Sequence, residues 1–430
     1  MSAFAEAERW LFTFSDPRRG VGWNPAARGG LEANVRRTRI LLDTLGASDR
    51  TMTCVLVAGT KGKGSTAAMI AALLSASGVR AGLATKPHLQ TYRERIRVDG
   101  GAISEAAFAA RVAALRARIG VPVPLPRDVG LPTTFELTTA LAVAHFAAEG
   151  CTVAVLEVGL GGRYDATNAC DPHVSVVTSI SHDHTAELGT SLRAIAREKA
   201  GVMRPGRVVV IAPQPAAARA TLVGEATRTG AVVREVRPLS ARDADRTGLR
   251  LRGAHQRANA AAALAACTEL AEHGVAFERL RVAGALAPLR WPGRFEIIAG
   301  TPPIVLDVAH NDGSALALAA ALRGEFPRRR VHLVLGIMRD KDARAVLRPL
   351  LPLAARIEVT RPRGPRGLDA AELARGIRGR PVRVHEDVAH ALAAARTGAG
   401  DRDVICVTGS VALVGEARDL LRLPVLERLW

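Results

Sequence analysis

Lysine is nearly missing from this chain. Of 59 Lys and Arg residues among 430, only five are lysine: Lys61, Lys63, Lys86, Lys199 and Lys341. Arginine is a rigid, permanently charged fork, whereas lysine is a compact point charge whose pKa can shift and whose amine can be modified. The five lysines are therefore the first candidates for chemistry. Aromatic residues make up 3% of the chain, too few to supply stacking platforms for nucleic-acid bases. Cysteine is also scarce. Cys54, Cys151, Cys170, Cys267 and Cys406 are odd in number and show no CxxC spacing, and three of them border apolar strand-like runs. Buried free thiols in a reducing cytoplasm are the expectation. No segment approaches the roughly 18 uninterrupted apolar residues of a membrane helix, and Met1 to Trp10 is acidic with no long apolar stretch. A cytoplasmic protein with no membrane partner is expected.

The formal charge is +18, but the arginines are scattered, with no basic tail and no nucleic-acid motif. A solvated, arginine-biased surface accounts for that charge, so no nucleic-acid partner is expected. A basic cleft would still favour a polyanionic substrate. Hydrophobic content of 48% excludes disordered and collagen-like classes.

What is present is an α/β pattern with a largely parallel sheet: short β-branched runs alternate with Ala-rich helical stretches. The runs are 54–58, 153–157, 174–178, 208–211, 304–307, 331–335 and 404–408. Pro and Gly in Leu289-Arg-Trp-Pro-Gly-Arg294 mark a boundary, which predicts domains of 1–295 and 296–430. In open α/β sheets the ligand crevice lies beyond the carboxyl ends of the strands, and the distinctive segments fall there.

The first is Gly59-Thr-Lys-Gly-Lys-Gly-Ser-Thr66, between an apolar strand and the helical stretch 67–76. Backbone amides of such a loop, with a helix N-terminus behind them, form a phosphate cradle. Gly64 separates Lys63 from Ser65, so the pattern departs from the standard nucleotide loop. The second is Glu157-Val-Gly-Leu-Gly-Gly-Arg-Tyr-Asp-Ala-Thr-Asn168, where an acid closes an apolar strand and is costly unless paired or bound to a cation. Next comes Ser179-Ile-Ser-His-Asp-His184. Carboxylate and imidazole beside a phosphate loop suit Mg²⁺, which takes one or two protein ligands plus nucleotide oxygens. Glu136 fits equally well as an acid facing a helix dipole. Asp307-Val-Ala-His-Asn311, Asp340-Lys-Asp342 and Thr408-Gly-Ser410 are each explicable as strand-end turns.

Taken together, VAGTKGKGST, KPHLQTYRERIRV, TTFELTTA, LEVGLGGRYDATN, TSISHDHTAELG, IAREKAGVMRPG, GAHQRAN, WPGRF, LDVAHN, GIMRDKD and VTGS run in order from about Trp10 to Gly415. In that order they resemble the folylpolyglutamate synthase and dihydrofolate synthase family, within the Mur-ligase-like ATP-dependent amide ligases. The resemblance implies a P-loop ATPase domain followed by a smaller Rossmann-like domain. ATP would phosphorylate a carboxylate of dihydropteroate or a reduced folate, and the amine of L-glutamate would attack the acyl phosphate. Position by position, it places Lys63 on the β/γ-phosphates, with Gly59, Thr60, Lys61, Gly62, Gly64, Ser65 and Thr66 in the cradle. It makes Glu157 and His184 magnesium ligands, and Lys199 a carboxylated lysine at a second Mg²⁺. Asn259, Arg294 and Asp307 correspond to nucleotide contacts, His310 and Ser410 to glutamate contacts, Phe135 and Asp165 to pterin contacts. Lys63, Lys199 and His310 are expected to carry the chemistry, in a monomer. Two positions depart from the family. Lys61 replaces the usual asparagine, and Lys86 replaces a serine that ligates the first Mg²⁺. An ammonium cannot ligate Mg²⁺, so water or Thr85 fills that place, or Lys86 itself contacts substrate phosphate. The alternative within the fold is a Mur-type ligase that adds another amino acid to a different acid.

Overall fold

In the computed structural model, residues 2–46, 51–119 and 125–430 are described, the side chains of 279 and 280 excepted. The β-branched runs pair into two sheets. In the first, β1 (Thr53–Ala58), β2 (Ala81–Ala84), β3 (Ile96–Val98), β4 (Gly101–Ala102), β5 (Val153–Glu157), β6 (Pro172–Val177), β7 (Val208–Ile211) and β8 (Val232–Glu235) lie in the order β4-β3-β2-β5-β1-β6-β7-β8. Pairing is parallel except at β2-β3 and β3-β4. Alternate residues of a strand face opposite sides. Accordingly Cys54, Leu56 and Ala58 join one core with the helix Thr134–Ala148, while Val55 and Val57 join another with the helices Lys63–Ala76 and Ala254–Glu272. Strands buried on both faces read as continuous apolar runs, which is why the central ones were legible.

The second sheet holds β9 (Glu296–Ile298), β10 (Ile304–Leu306), β11 (Val331–Leu335), β12 (Ala354–Val359), β13 (Val382–Val384) and β14 (Val404–Thr408), in the order β13-β12-β11-β14-β10-β9. Only β9 is antiparallel to its neighbour. All five cysteines are buried and none is disulfide-bonded. No helix among the described residues is long and apolar enough to cross a membrane.

Register decides where the site falls. Val57 is level with Glu157 on β5, and Ala58 with Val177 on β6. The chain leaves β1 towards β2 on one side and passes from β5 to β6 on the other, so β1 is a topological switch point. Three loops, opening at Gly59, Val158 and Thr178, therefore emerge side by side.

Glu136 is structural. It completes a capping box with Thr133 and receives Arg37 Nε and Nη2, each at 2.8 Å, with both side chains 1% exposed. Removing one partner of a buried pair leaves an uncompensated charge. Arg37→Met is expected to cost about 3–5 kcal/mol in denaturant unfolding; a loss under about 1 kcal/mol would show that the pair is dispensable.

Candidate active site

The phosphate loop is shaped by glycine at two points. Gly62 caps the helix Lys63–Ala76 with φ +83°, and a side chain there would collide with the amide of Asn259. A β-carbon on Gly64 would lie 3.1 Å from Glu157 Oε2 and 3.2 Å from the Trp291 ring, so that carboxylate sits directly over the first helical turn. Thr60 N and Lys61 N both donate to Ser179 O, at 2.9 and 3.1 Å, which pins the loop to the exit of β6. Ser65 and Thr66 are buried, and the Thr66 hydroxyl has no hydrogen-bond partner.

Around this loop the scarce lysines converge. Lys63 Nζ donates to Gly59 O at 3.0 Å and Thr60 O at 3.3 Å, and Lys199 Nζ donates to the same Gly59 O at 2.8 Å. Burial, and then the neighbouring Lys63 ammonium, push the Lys199 pKa well below its usual value. Lys86 is lowered to about 8 by the same two causes. Its Nζ lies 5.9 Å from the centre of the Phe135 ring, and its backbone N donates to Glu157 Oε2 at 2.9 Å. Among the described residues, Lys341 is the only lysine held in an ion pair. Lys61, expected in the cradle, donates its ammonium to Asn311 Oδ1 of the second domain. Burial lowers its pKa to about 8.

Phe135 and Asp165 come together across Gly159, where a side chain would strike both. Asp165 also holds its own loop, accepting from Leu160 N at 2.8 Å and Thr167 Oγ1 at 2.6 Å. His184 adopts φ +50°. Desolvation by the surrounding chain and then the Lys341 ammonium lower its pKa to about 3, although its side chain is 40% exposed. It is thus neutral, the form in which imidazole binds metals. No group of three His, Cys, Asp or Glu side chains among the described residues is arranged to hold a metal alone. The donor set, one buried carboxylate and one neutral imidazole beside a phosphate loop, fits Mg²⁺ shared with a nucleotide.

The second domain contributes Asp307, which follows β10 and accepts from Phe295 N at 2.8 Å and Ala309 N at 2.9 Å. Burial raises its pKa to about 6 against the opposing pull of Arg294. Arg294 itself is lowered by burial. His310 Nδ1 lies 2.8 Å from Val308 O, so Nδ1 carries the proton and Nε2 is the free acceptor. Burial and Lys341 lower its pKa to about 4. The Ser410 hydroxyl caps the helix Val411–Leu420 through Leu413 N. Asn259 is oriented by Gln256, 2.9 Å away.

Two residues at the junction, Asp183 and Asn311, were not singled out from sequence, and Lys341 was marked there as a candidate for chemistry without a stated role. Asn311 Nδ2 donates to Asp183 Oδ2 at 2.6 Å, and Lys341 Nζ lies 3.1 Å from Asp183 Oδ1. Burial works to raise the Asp183 pKa, but Lys341 and Lys61 hold it far below the carboxylate range. The scarcity of lysine is the signal that marked Lys341.

A phosphate loop at the switch point of one α/β domain, faced by strand-end loops of a second, defines a Mur-type ligase. Residues 57–233 match the Mur ligase middle domain, and residues 293–411 the Mur ligase, glutamate ligase domain. The dihydrofolate synthase/folylpolyglutamate synthase of Mycobacterium tuberculosis is 36% identical over 441 residues, covering 91% of this chain and 90% of that protein. Escherichia coli FolC in complex with DHPP and ADP superposes with a TM-score of 0.82 at 29% identity, covering 98% of each chain. A Yersinia pestis folylpolyglutamate synthase/dihydrofolate synthase complexed with AMPPNP and Mn gives a TM-score of 0.79 at 29% identity, covering 98% of this chain and 99% of that one. The chain belongs to the dihydrofolate synthase/folylpolyglutamate synthase family.

Proposed function

We propose that this protein is an ATP-dependent ligase joining L-glutamate to a folate-type carboxylate, dihydropteroate, a tetrahydrofolate polyglutamate, or both. The carrying observation is that Lys63, Lys86 and Lys199 gather at the switch point without ion-pair partners among the described residues. The ammonium groups of Lys63 and Lys86, unneutralised in a buried crevice, would stabilise the charge that builds on a transferring phosphoryl group.

In the proposed reaction an oxygen of the acceptor carboxylate attacks the γ-phosphorus and ADP leaves. The glutamate ammonium loses one proton to become an amine that attacks the acyl carbon, phosphate leaves, and a second proton is lost as the amide forms with its one remaining N–H. Lys63 holds the β/γ-phosphates, with Asn259, Arg294 and Asp307 on the rest of the nucleotide. Phe135 and Asp165 hold the pterin acid, with Lys86 beside it, and His310 and Ser410 hold glutamate. The free Nε2 of His310 accepts a hydrogen bond from the attacking amine. Burial favours the neutral amine of Lys199, which would add to carbon dioxide and lose one proton to become a carbamate. Glu157 and His184 would hold one Mg²⁺ and the Lys199 carbamate would help hold a second, which would supply charge neutralisation at the phosphoryl oxygens. In this reading residues 1–295 form the ATPase domain and 296–430 the glutamate-ligase domain of a cytoplasmic monomer.

ATP-dependent incorporation of labelled glutamate, with dihydropteroate and tetrahydrofolate supplied separately and products resolved by mass, tests the reading. Incorporation into either acid supports it and shows which activity is present. No incorporation into either, despite ATP binding, overturns it.

A further inference from the structure

The two domains meet along two different surfaces. On the first, the chain crosses between them twice, side by side. Residues 290–294 lead out of the first domain and the C-terminal tail returns to it. Arg290 N donates to Leu429 O at 2.7 Å, Leu429 N to Gly100 O at 3.0 Å, and Ala102 N to Glu427 O at 2.7 Å. Arg418 Nε donates to Gln90 Oε1 at 2.8 Å, and Leu89 O fills the space a side chain at Gly415 would need. That surface is closely packed, and the chain itself ties the two domains there.

On the second surface four polar side chains meet beside the phosphate loop, and the Arg252–Glu325 ion pair also joins the two domains. Lys61 Nζ donates to Asn311 Oδ1, Asn311 Nδ2 donates to Asp183 Oδ2 at 2.6 Å, and Lys341 Nζ reaches Asp183 Oδ1 at 3.1 Å. Asn311 Oδ1 also accepts from Ser314 N at 3.1 Å and Ser314 Oγ at 2.6 Å, so its amide has one orientation. The loop that bears Asp183 is fastened to the phosphate loop, since Ser181 N donates to Thr60 Oγ1 at 3.2 Å. Lys341 and Asp183 are only 13% and 12% exposed. A charge pair so withdrawn from water is costly to break, because the group left behind stays desolvated.

We propose that Asp183, Lys341, Asn311 and Lys61 form a latch that locks the second domain onto the phosphate loop and positions His310 for amide formation, which rests on the ligase reading above. Asn311 follows His310 in the chain, so its two cross-domain bonds fix the backbone that carries the imidazole. Lys61 and Lys63 then divide their work: Lys63 bonds inward to the loop carbonyls, and Lys61 holds the facing domain. None of the latch side chains needs to touch the reacting atoms, so these are positioning residues.

The test is a double-mutant cycle on the full-length enzyme with Lys341→Met, Asp183→Asn and the pair. Lys341→Met is expected to lower kcat by on the order of 10²-fold, as small misplacements of reacting groups do, and to raise KM for glutamate, while ADP affinity by calorimetry stays within about twofold. Lys341→Arg should recover part of kcat, and the double variant should lose little more than either single one. Small-angle scattering should show a larger radius of gyration for Lys341→Met and for Asp183→Asn than for the parent enzyme. Additive losses with an unchanged scattering profile would overturn the latch, as would ADP affinity falling in step with kcat. If the parent enzyme forms no amide with either acid, the ligase reading fails, and the scattering comparison still decides the latch.

Discussion

Lys199→Arg is expected to lower kcat for glutamate ligation by roughly 10²–10³-fold, the scale seen when one group that stabilises transition-state charge is removed. The reason lies in the chemistry of the nitrogen. Lys199 is 5% exposed, donates to Gly59 O at 2.8 Å, and is pushed well below its usual pKa by burial and by Lys63. A neutral amine can add to carbon dioxide. A guanidinium stays protonated and cannot. Arginine would therefore retain positive charge where the proposed carbamate supplies negative charge. In Lys199→Ala, added acetate or formate should restore part of the rate. Full activity of Lys199→Arg without either additive would remove the carbamate from the mechanism.

The second large effect is expected from Gly64→Val. A β-carbon at Gly64 already approaches Glu157 Oε2 to 3.1 Å and the Trp291 ring to 3.2 Å, and the branched methyl groups of valine need still more room. Helix propensity is not the issue, since valine is a better helix former than glycine. The carboxylate of Glu157 must move, and with it the backbone of Lys86, which donates to it at 2.9 Å. Displacing a positioned group by about 1 Å can cost on the order of 10²-fold in rate. Steady-state kinetics should show that loss, with unfolding changed far less and Gly64→Ala falling between. A Gly64→Val enzyme with parental kcat and KM for ATP would show that Glu157 has no part in the reaction.

Much of the architecture was legible because apolar runs buried on both faces announce themselves: all seven expected runs became strands. Among the described residues seven strands were missed: β2 and β9 are four and three residues long, and Arg356 and Glu358 interrupt the apolar pattern of β12. β3 and β4 are three and two residues long, and β8 and β13 are edge strands with exposed positions. Short and half-solvated strands lack the continuous apolar pattern of central ones. The site divided in the same way. The segments of Gly59 to Ser65 and Glu157 drew attention because they follow strand ends, where a parallel sheet places its crevice, whereas Asp307 and His310 were given roles only by the family resemblance. Glu136 was ambiguous, because its capping-box partner Thr133 is near in sequence while Arg37 lies 99 residues away.

By itself the sequence determined the strand–loop–helix units, the phosphate loop and the restriction of lysine to five positions, because those depend on local periodicity and residue type. Only the tertiary structure decided how the loops meet. The register of β1 with β5 and β6 brings Glu157 over the phosphate loop, while the packing of the second domain sends Lys61 to Asn311 and Lys341 to Asp183. Lys61 and Asn311 are 250 residues apart and Lys341 and Asp183 are 158 apart. A hydrogen bond needs partners within about 3 Å, and chain spacing carries no information at that separation.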